Sequence, residues 1–191
     1  MIDERRPARG EGKEALVEAA IAILSEQGLA GVTYRSVAER AGVTHGLVRH
    51  HFRTLSELLR RAVAEWGQGS RRSTLLEPGT GDLADLAAEL PQDLAMHAAE
   101  HVAMYELAMD AVRSPEIRGE VRETYAEYIA SVTRELERAG FGARSSELGR
   151  LAFAAIDGLV LQQLILGEPQ RLEEGLALLR SVLADLKDSK P

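Results

Sequence analysis

Cysteine is absent from the 191 residues, which excludes a disulfide framework, a thiolate nucleophile and any zinc site built on cysteine. No uncharged apolar run reaches the ~20 residues that a membrane span requires. The longest candidate, 151–166, is shorter and contains Asp157, Gln162 and Gln163. Arg5, Arg6 and Arg9 lead into Pro7 and Gly10 rather than into an apolar stretch, so no secretory signal is expected. Strand-like alternation bounded by hairpin turns is missing, and so is any internal repeat. What remains is an all-α protein with no membrane partner, expected in the cytoplasm and without a cofactor.

Charged residues make up 28% and apolar residues 45%, ordinary proportions for a chain that buries a core. The net charge of −7 is unevenly spread: residues 1–72 carry +3 and residues 73–191 carry −10. A basic head on an acidic body suits a small module that meets phosphates while the rest of the chain stays clear of them.

Helical periodicity runs along nearly the whole chain, and about nine helices are expected. In 11–27, Leu16, Ala20, Ile23 and Leu24 share one face and Gly28 supplies a stop. Thr33 and Thr44 are candidate N-caps of two short helices, and Thr54 with Glu57 forms a capping-box pattern before a longer one. The stretch Glu77-Pro78-Gly79-Thr80-Gly81 is the clearest break. Beyond it, helices are expected from Asp82 to Leu90, from Pro91 through Val112, from Pro115 to about Leu136, and over 145–166 and 169–187.

Residues 33–52 carry the most information. Ala38 is small where two short helices cross, and Gly42 suits a tight turn that needs positive φ. Val43 and Val48 fill the space beneath it, with Leu47 and Phe52 facing the first helix. The outward residues of the second short helix are then Thr44, His45, Gly46, Arg49 and His50, a polar face on a helix that fits the major groove.

This segment resembles the DNA-binding domain of TetR-type (TetR/AcrR) regulators in Thr33, Val37-Ala38, Ala41-Gly42-Val43-Thr44, Val48, His51-Phe52 and Thr54. The resemblance implies phosphate contacts at Thr33, Arg35, Thr44, His50 and His51, with Tyr34 beside them. It also implies approach to base edges at His45, Gly46 and Leu47. Two departures stand out: Arg49 occupies the family's usual tyrosine position, and Leu55 the usual lysine position. Arg49 is suited either to a phosphate or to a guanine edge. The implied organisation is a helix-turn-helix domain over 1–53, a linking helix over 54–77, and a ligand-binding and dimerisation domain over 78–191. Its partners would be a palindromic double-stranded operator and a small-molecule effector, the usual mode being a repressor released by that effector.

The 145–166 helix is apolar almost all round and needs cover on two sides. Leu148, Ala155, Leu159 and Leu166 share one side, with Phe153, Val160 and Leu164 opposite, around Asp157. With a stripe of Leu172, Leu176, Leu179, Leu183 and Leu186 on the final helix, this predicts a homodimer through the last two helices. Candidate effector-pocket residues are His97, His101, Met104, Tyr105, Tyr125, Tyr128, Phe153 and Asp157, isolated polar groups edging apolar stripes.

His97-Ala98-Ala99-Glu100-His101 also spells H-x-x-E-H. On one helix, such a pair can grip a metal while the glutamate activates water. It supports two alternatives, a metal-responsive regulator and a zinc hydrolase, although no third ligand is marked and no enzyme is expected. A helical interaction module without DNA binding is kept open by Leu55.

Overall fold

A computed structural model describes residues 11–68 and 71–188, so the arginines at 5, 6 and 9 lie outside the described residues. Among the described residues there are ten α-helices and no strand: α1 (Glu11–Gly31), α2 (Tyr34–Arg40), α3 (His45–His51), α4 (Leu55–Gln68), α5 (Arg71–Leu76), α6 (Leu90–Met96), α7 (Ala98–Arg113), α8 (Pro115–Arg138), α9 (Ser145–Leu166) and α10 (Pro169–Asp188). They fall into two compact units, residues 1–69 with 99–122 and residues 70–98 with 123–191.

In the first unit the expected α1 face is the core: Leu16, Ala20, Ile23 and Leu24 are at most 1% exposed. Val37, Val48, Phe52, Leu58 and Ala62 join them, and α1 packs on both α2 and α4. Gly28 kinks α1 at φ 67 and the helix resumes to Gly31. A Cβ at Gly28 would also meet the Glu106 carboxylate at 2.7 Å, so glycine serves both the backbone and the close approach.

The second unit is built on α9 packed against α10. Leu159 seats on Gly175, and Thr133 of α8 lies so close to Gly149 that a Cβ there would come within 2.9 Å of its Cα. The 77–81 break is held by charge. Glu135 is fully buried and accepts the backbone N–H groups of Gly79 at 2.8 Å and Gly81 at 2.6 Å. Beside it, Glu77 bridges Arg134 and Arg138. The Glu135 carboxylate thus satisfies two loop N–H groups, while the Arg134 and Arg138 guanidiniums pair with the acidic side chains around it.

Three expectations are corrected here. The 82–90 helix is a single 3-10 turn over Leu83–Asp85, ended by Leu86 at ψ 114 and Ala87 at φ 54. The Arg180 guanidinium of α10 takes the Leu86 carbonyl at 2.9 Å and holds that turn open. The expected Pro91–Val112 helix breaks at His97, with φ −128 and ψ 31. The Asp93 carbonyl there accepts the His97 backbone N–H at 2.8 Å and also lies 3.1 Å from the ring Nδ1. Finally, most of the α10 stripe assigned to the dimer is internal: Leu172, Leu176 and Leu183 are 1–3% exposed, while Leu179 and Leu186 are half-buried.

The apolar surface that stays open lies elsewhere. On α9 it is Leu151, Leu161, Ile165 and Leu166, on α10 it is Leu178 and Val182, and Met96 of α6 with Val102, Met109 and Val112 of α7 is exposed as well. On α9, Leu148 is buried along with Phe153 and Val160, although helical spacing places it on the opposite side from them. By length and composition alone residues 142–166 could cross a membrane, a test that the core helix of a globular protein also passes.

Candidate nucleic-acid interface

The turn between α2 and α3 is built from local chemistry. Thr33 has extended backbone, and its hydroxyl accepts the Ser36 N–H at 3.0 Å while Ser36 Oγ accepts the Thr33 N–H at 2.9 Å. That is a reciprocal cap, with serine in the role more often given to Glu or Gln. Gly42 sits at φ 66, the conformation the tight turn demands. The Val43 N–H then bonds the Ala38 carbonyl at 2.9 Å and closes the turn. Thr44 caps α3, accepting the Leu47 N–H at 3.3 Å. The Thr54 cap forms as expected through the Glu57 N–H at 3.1 Å, although the Glu57 carboxylate takes the Arg53 N–H rather than that of Thr54.

Within the head, α3 rests on α2 with Val48 fully buried and Phe52 behind it. Its other face is open: Thr44, His45, Gly46, Arg49 and His50 are all exposed. Thr33 and Arg35 are exposed on the α2 side, and Tyr34 is half-buried. Leu47 is half-buried as well, leaving it less open than its neighbours at 45 and 46. His51 is half-buried, and its Nε2 lies 3.4 Å from where a Gly12 Cβ would stand, so it leans towards α1; its ring meets His50 edge-on at 5.4 Å.

Charge within the head is partly spent internally. Arg35 Nε donates to Glu39 at 2.8 Å, and Arg40 pairs bidentately with Glu26 across the α1–α2 contact. Each pair raises its arginine's pKa, chiefly through the side-chain hydrogen bond, and Glu26 is correspondingly lowered. Lys13 lies over the Phe52 ring at 5.1 Å, a cation on the supporting helix that sequence periodicity gave no reason to single out. Leu55, at the position of the missing lysine, is half-buried.

The pocket candidates are distributed over both units. In the second, Tyr125, Tyr128 and Phe153 form an aromatic cluster with centroids 5.8–6.1 Å apart. Tyr128 is fully buried, while Tyr125 and Asp157 are half-buried. His101, Met104 and Tyr105 are buried on α7, at 6–9% exposed. His97 is half-buried, with Nδ1 3.0 Å from the Asp93 carboxylate. His97 ends α6 and His101 lies on α7, so the single continuous helix assumed for H-x-x-E-H is not formed. Among the described residues, no three His, Asp or Glu side chains gather where they would hold a metal ion.

A short capped helix with a polar open face, backed by a glycine turn and two supporting helices, defines a helix-turn-helix DNA-binding transcriptional regulator. Family-level comparison agrees: residues 16–62 match the bacterial regulatory proteins of the tetR family, and residues 78–186 match the tetracyclin repressor-like C-terminal domain. The chain belongs to the tetR family. It is 29% identical over 167 residues to the HTH-type transcriptional regulator BetI of Paraburkholderia xenovorans, covering 81% of this chain and 82% of that protein. BetI of Cronobacter sakazakii is 26% identical over 180 residues, with 84% and 83% covered. Among solved structures, a transcriptional regulator from Rhodococcus sp. Rha1 superposes with a TM-score of 0.73 at 28% identity, over 94% of this chain and 99% of that one. The multidrug binding protein EbrR complexed with proflavin gives 0.71 at 25% identity, with 91% and 99% covered.

Proposed function

We propose that this regulator is a cytoplasmic repressor that binds a palindromic operator as a homodimer and is released by a small-molecule effector. The observation that carries the DNA half is the open face of α3, five exposed hydrogen-bonding or backbone-baring residues over a fully buried Val48. Residues 1–53 would form the head, 54–77 the link, and 78–191 the effector and dimer domain. Thr33, Arg35, Thr44, His50 and His51 would hold phosphates. Arg35 would exchange Glu39 for a phosphate oxygen, a small cost for an exposed ion pair. His45, Gly46 and Leu47 would meet base edges, Gly46 letting the backbone come close.

The dimer reading rests on the uncovered apolar residues Leu151, Leu161 and Ile165 of α9 with Leu178 and Val182 of α10. Exposed apolar area of this kind marks an interface, and a two-fold axis would place two heads about one DNA turn apart, ~34–36 Å. The effector reading is supported by the aromatic cluster Tyr125, Tyr128 and Phe153 with Asp157 on the α9 face, and by the proflavin-bound relative.

The test is a mobility shift on duplex DNA taken from immediately upstream of the protein's own gene, with excess unrelated duplex present. A discrete retarded band, reduced by a compound that also raises the melting temperature, is expected. Equal competition by unrelated DNA would overturn the repressor reading.

A further inference from the structure

Resting on that DNA-binding reading, the geometry points to Tyr34 as a positioning residue that presents Arg49 to a guanine edge. Tyr34 opens α2, yet it belongs to the face of α3. Its hydroxyl donates to the Phe52 carbonyl at 3.3 Å, tying the ring to the C-terminal end of the recognition helix. Phe52 is 1% exposed, so this anchor is rigid. Against the ring lie two side chains four residues apart on α3. His45 meets it edge-on, with centroids 5.6 Å apart and planes at 72°, and Arg49 Cζ sits 5.9 Å from its centroid. Those distances suit an edge-to-face pair and a cation–π contact.

Arg49 differs from its neighbours in its electrostatics. Arg35 and Arg40 are each committed to a carboxylate, whereas no carboxylate among the described residues pairs with Arg49. An aromatic face holds a guanidinium without neutralising it and without occupying its N–H edge. It also narrows the rotamers that a long exposed side chain would otherwise lose on binding. A fork held in one plane matches the in-plane N7 and O6 acceptors of guanine. The same fork can pair bidentately with a phosphate, so what distinguishes base reading is discrimination between sequences. The usual ring of the second short helix is thus replaced by a ring on α2 and a cation on α3, and the pair acts as one reading unit.

The experiment selects bound sequences from a duplex pool with a randomised centre, using the full chain and three variants, and measures affinities on the winner and on its single-base substitutions. Arg49→Lys keeps the charge and loses the fork. Tyr34→Leu loses the ring, and Tyr34→Phe keeps the ring but loses the tether. At one symmetric guanine position, Arg49→Lys and Tyr34→Leu should each reduce discrimination about tenfold. Affinity for unrelated duplex should stay within about twofold, and at the guanine position Tyr34→Phe should fall between the parent and Tyr34→Leu. If Arg49→Lys weakens every sequence equally, Arg49 is a phosphate contact and the inference fails. It fails too if Tyr34→Leu preserves the guanine preference. If the parent chain selects no sequence at all, the operator-binding reading itself is overturned, a result separate from both.

Discussion

Replacing Glu135 by alanine should lower stability by about 2–4 kcal/mol. The carboxylate is fully buried and accepts the Gly79 and Gly81 N–H groups, with Arg138 Nη1 at 3.2 Å. A hydrogen bond to a charged group contributes about 1.5–3 kcal/mol net, so three intact bonds set an upper bound. Two of them are partly replaceable: Gly79 is exposed and can turn to water, and Arg138 keeps Glu77 at 2.7 Å. The Gly81 N–H is less accessible, and Gly81 must hold φ 70 with the Arg138 backbone only 3.0 Å from where a Cβ would stand. In a chain of this length 1 kcal/mol moves the melting midpoint about 2–4 °C, so a drop of about 5–15 °C is expected. Circular dichroism melts at one fixed protein concentration measure it, since a dimer's midpoint depends on concentration. Glu135→Gln, which retains one acceptor oxygen, should fall between parent and alanine. A loss below about 1 kcal/mol with parental helix content would refute the claim that this carboxylate holds the 77–81 break.

Gly149→Ala should destabilise by about 1–3 kcal/mol in urea unfolding despite alanine's better helix propensity, because the added carbon would stand 2.9 Å from Thr133 Cα. The Glu77 carboxyl is held below its ordinary 4.5, first by the hydrogen bond from Arg134 and, after the opposing effect of burial, by that from Arg138. A depressed carboxyl stabilises the fold above its unfolded value and loses that contribution as pH falls through the folded one. Urea midpoints should therefore fall more steeply below pH 4.5 in the parent than in Glu77→Gln, and parallel curves would contradict this. Ile165→Arg, at a site 70% exposed in the chain, should leave helix content unchanged and, on the dimer proposal, give a monomer at micromolar concentration in sedimentation.

Local chemistry made the head legible in advance. The α1 stripe, the Thr33 and Thr44 caps and the Gly42 turn each depend on residues within about one helical turn of one another. Periodicity failed where distant or competing polar groups decide the backbone. The 82–90 segment has helical composition, yet Arg180, 94 residues away, captures Leu86. Glu135 looks like an ordinary acidic surface residue until the chain brings Gly79 and Gly81 to it across 56 and 54 positions. At His97 the signal was local but ambiguous, since an Asp93–His97 pair serves a continuing helix as readily as a C-cap. On the final helix the difficulty was of another kind. Leucine on every side of α10 gave no basis for telling the stripe that meets α9 from the outward Leu178 and Val182. The pairing of Tyr34 with Arg49 spans 15 positions and two helices, so it needed the turn geometry before it could be seen.

The most direct test of a helix-turn-helix dimer on a palindromic operator is a hydroxyl-radical footprint of the full chain on its selected duplex. Two symmetric protected segments, centred ~34–36 Å apart and both lost with Ile165→Arg at limiting concentration, are predicted. A single unsymmetric segment, or protection that follows no sequence, would contradict it.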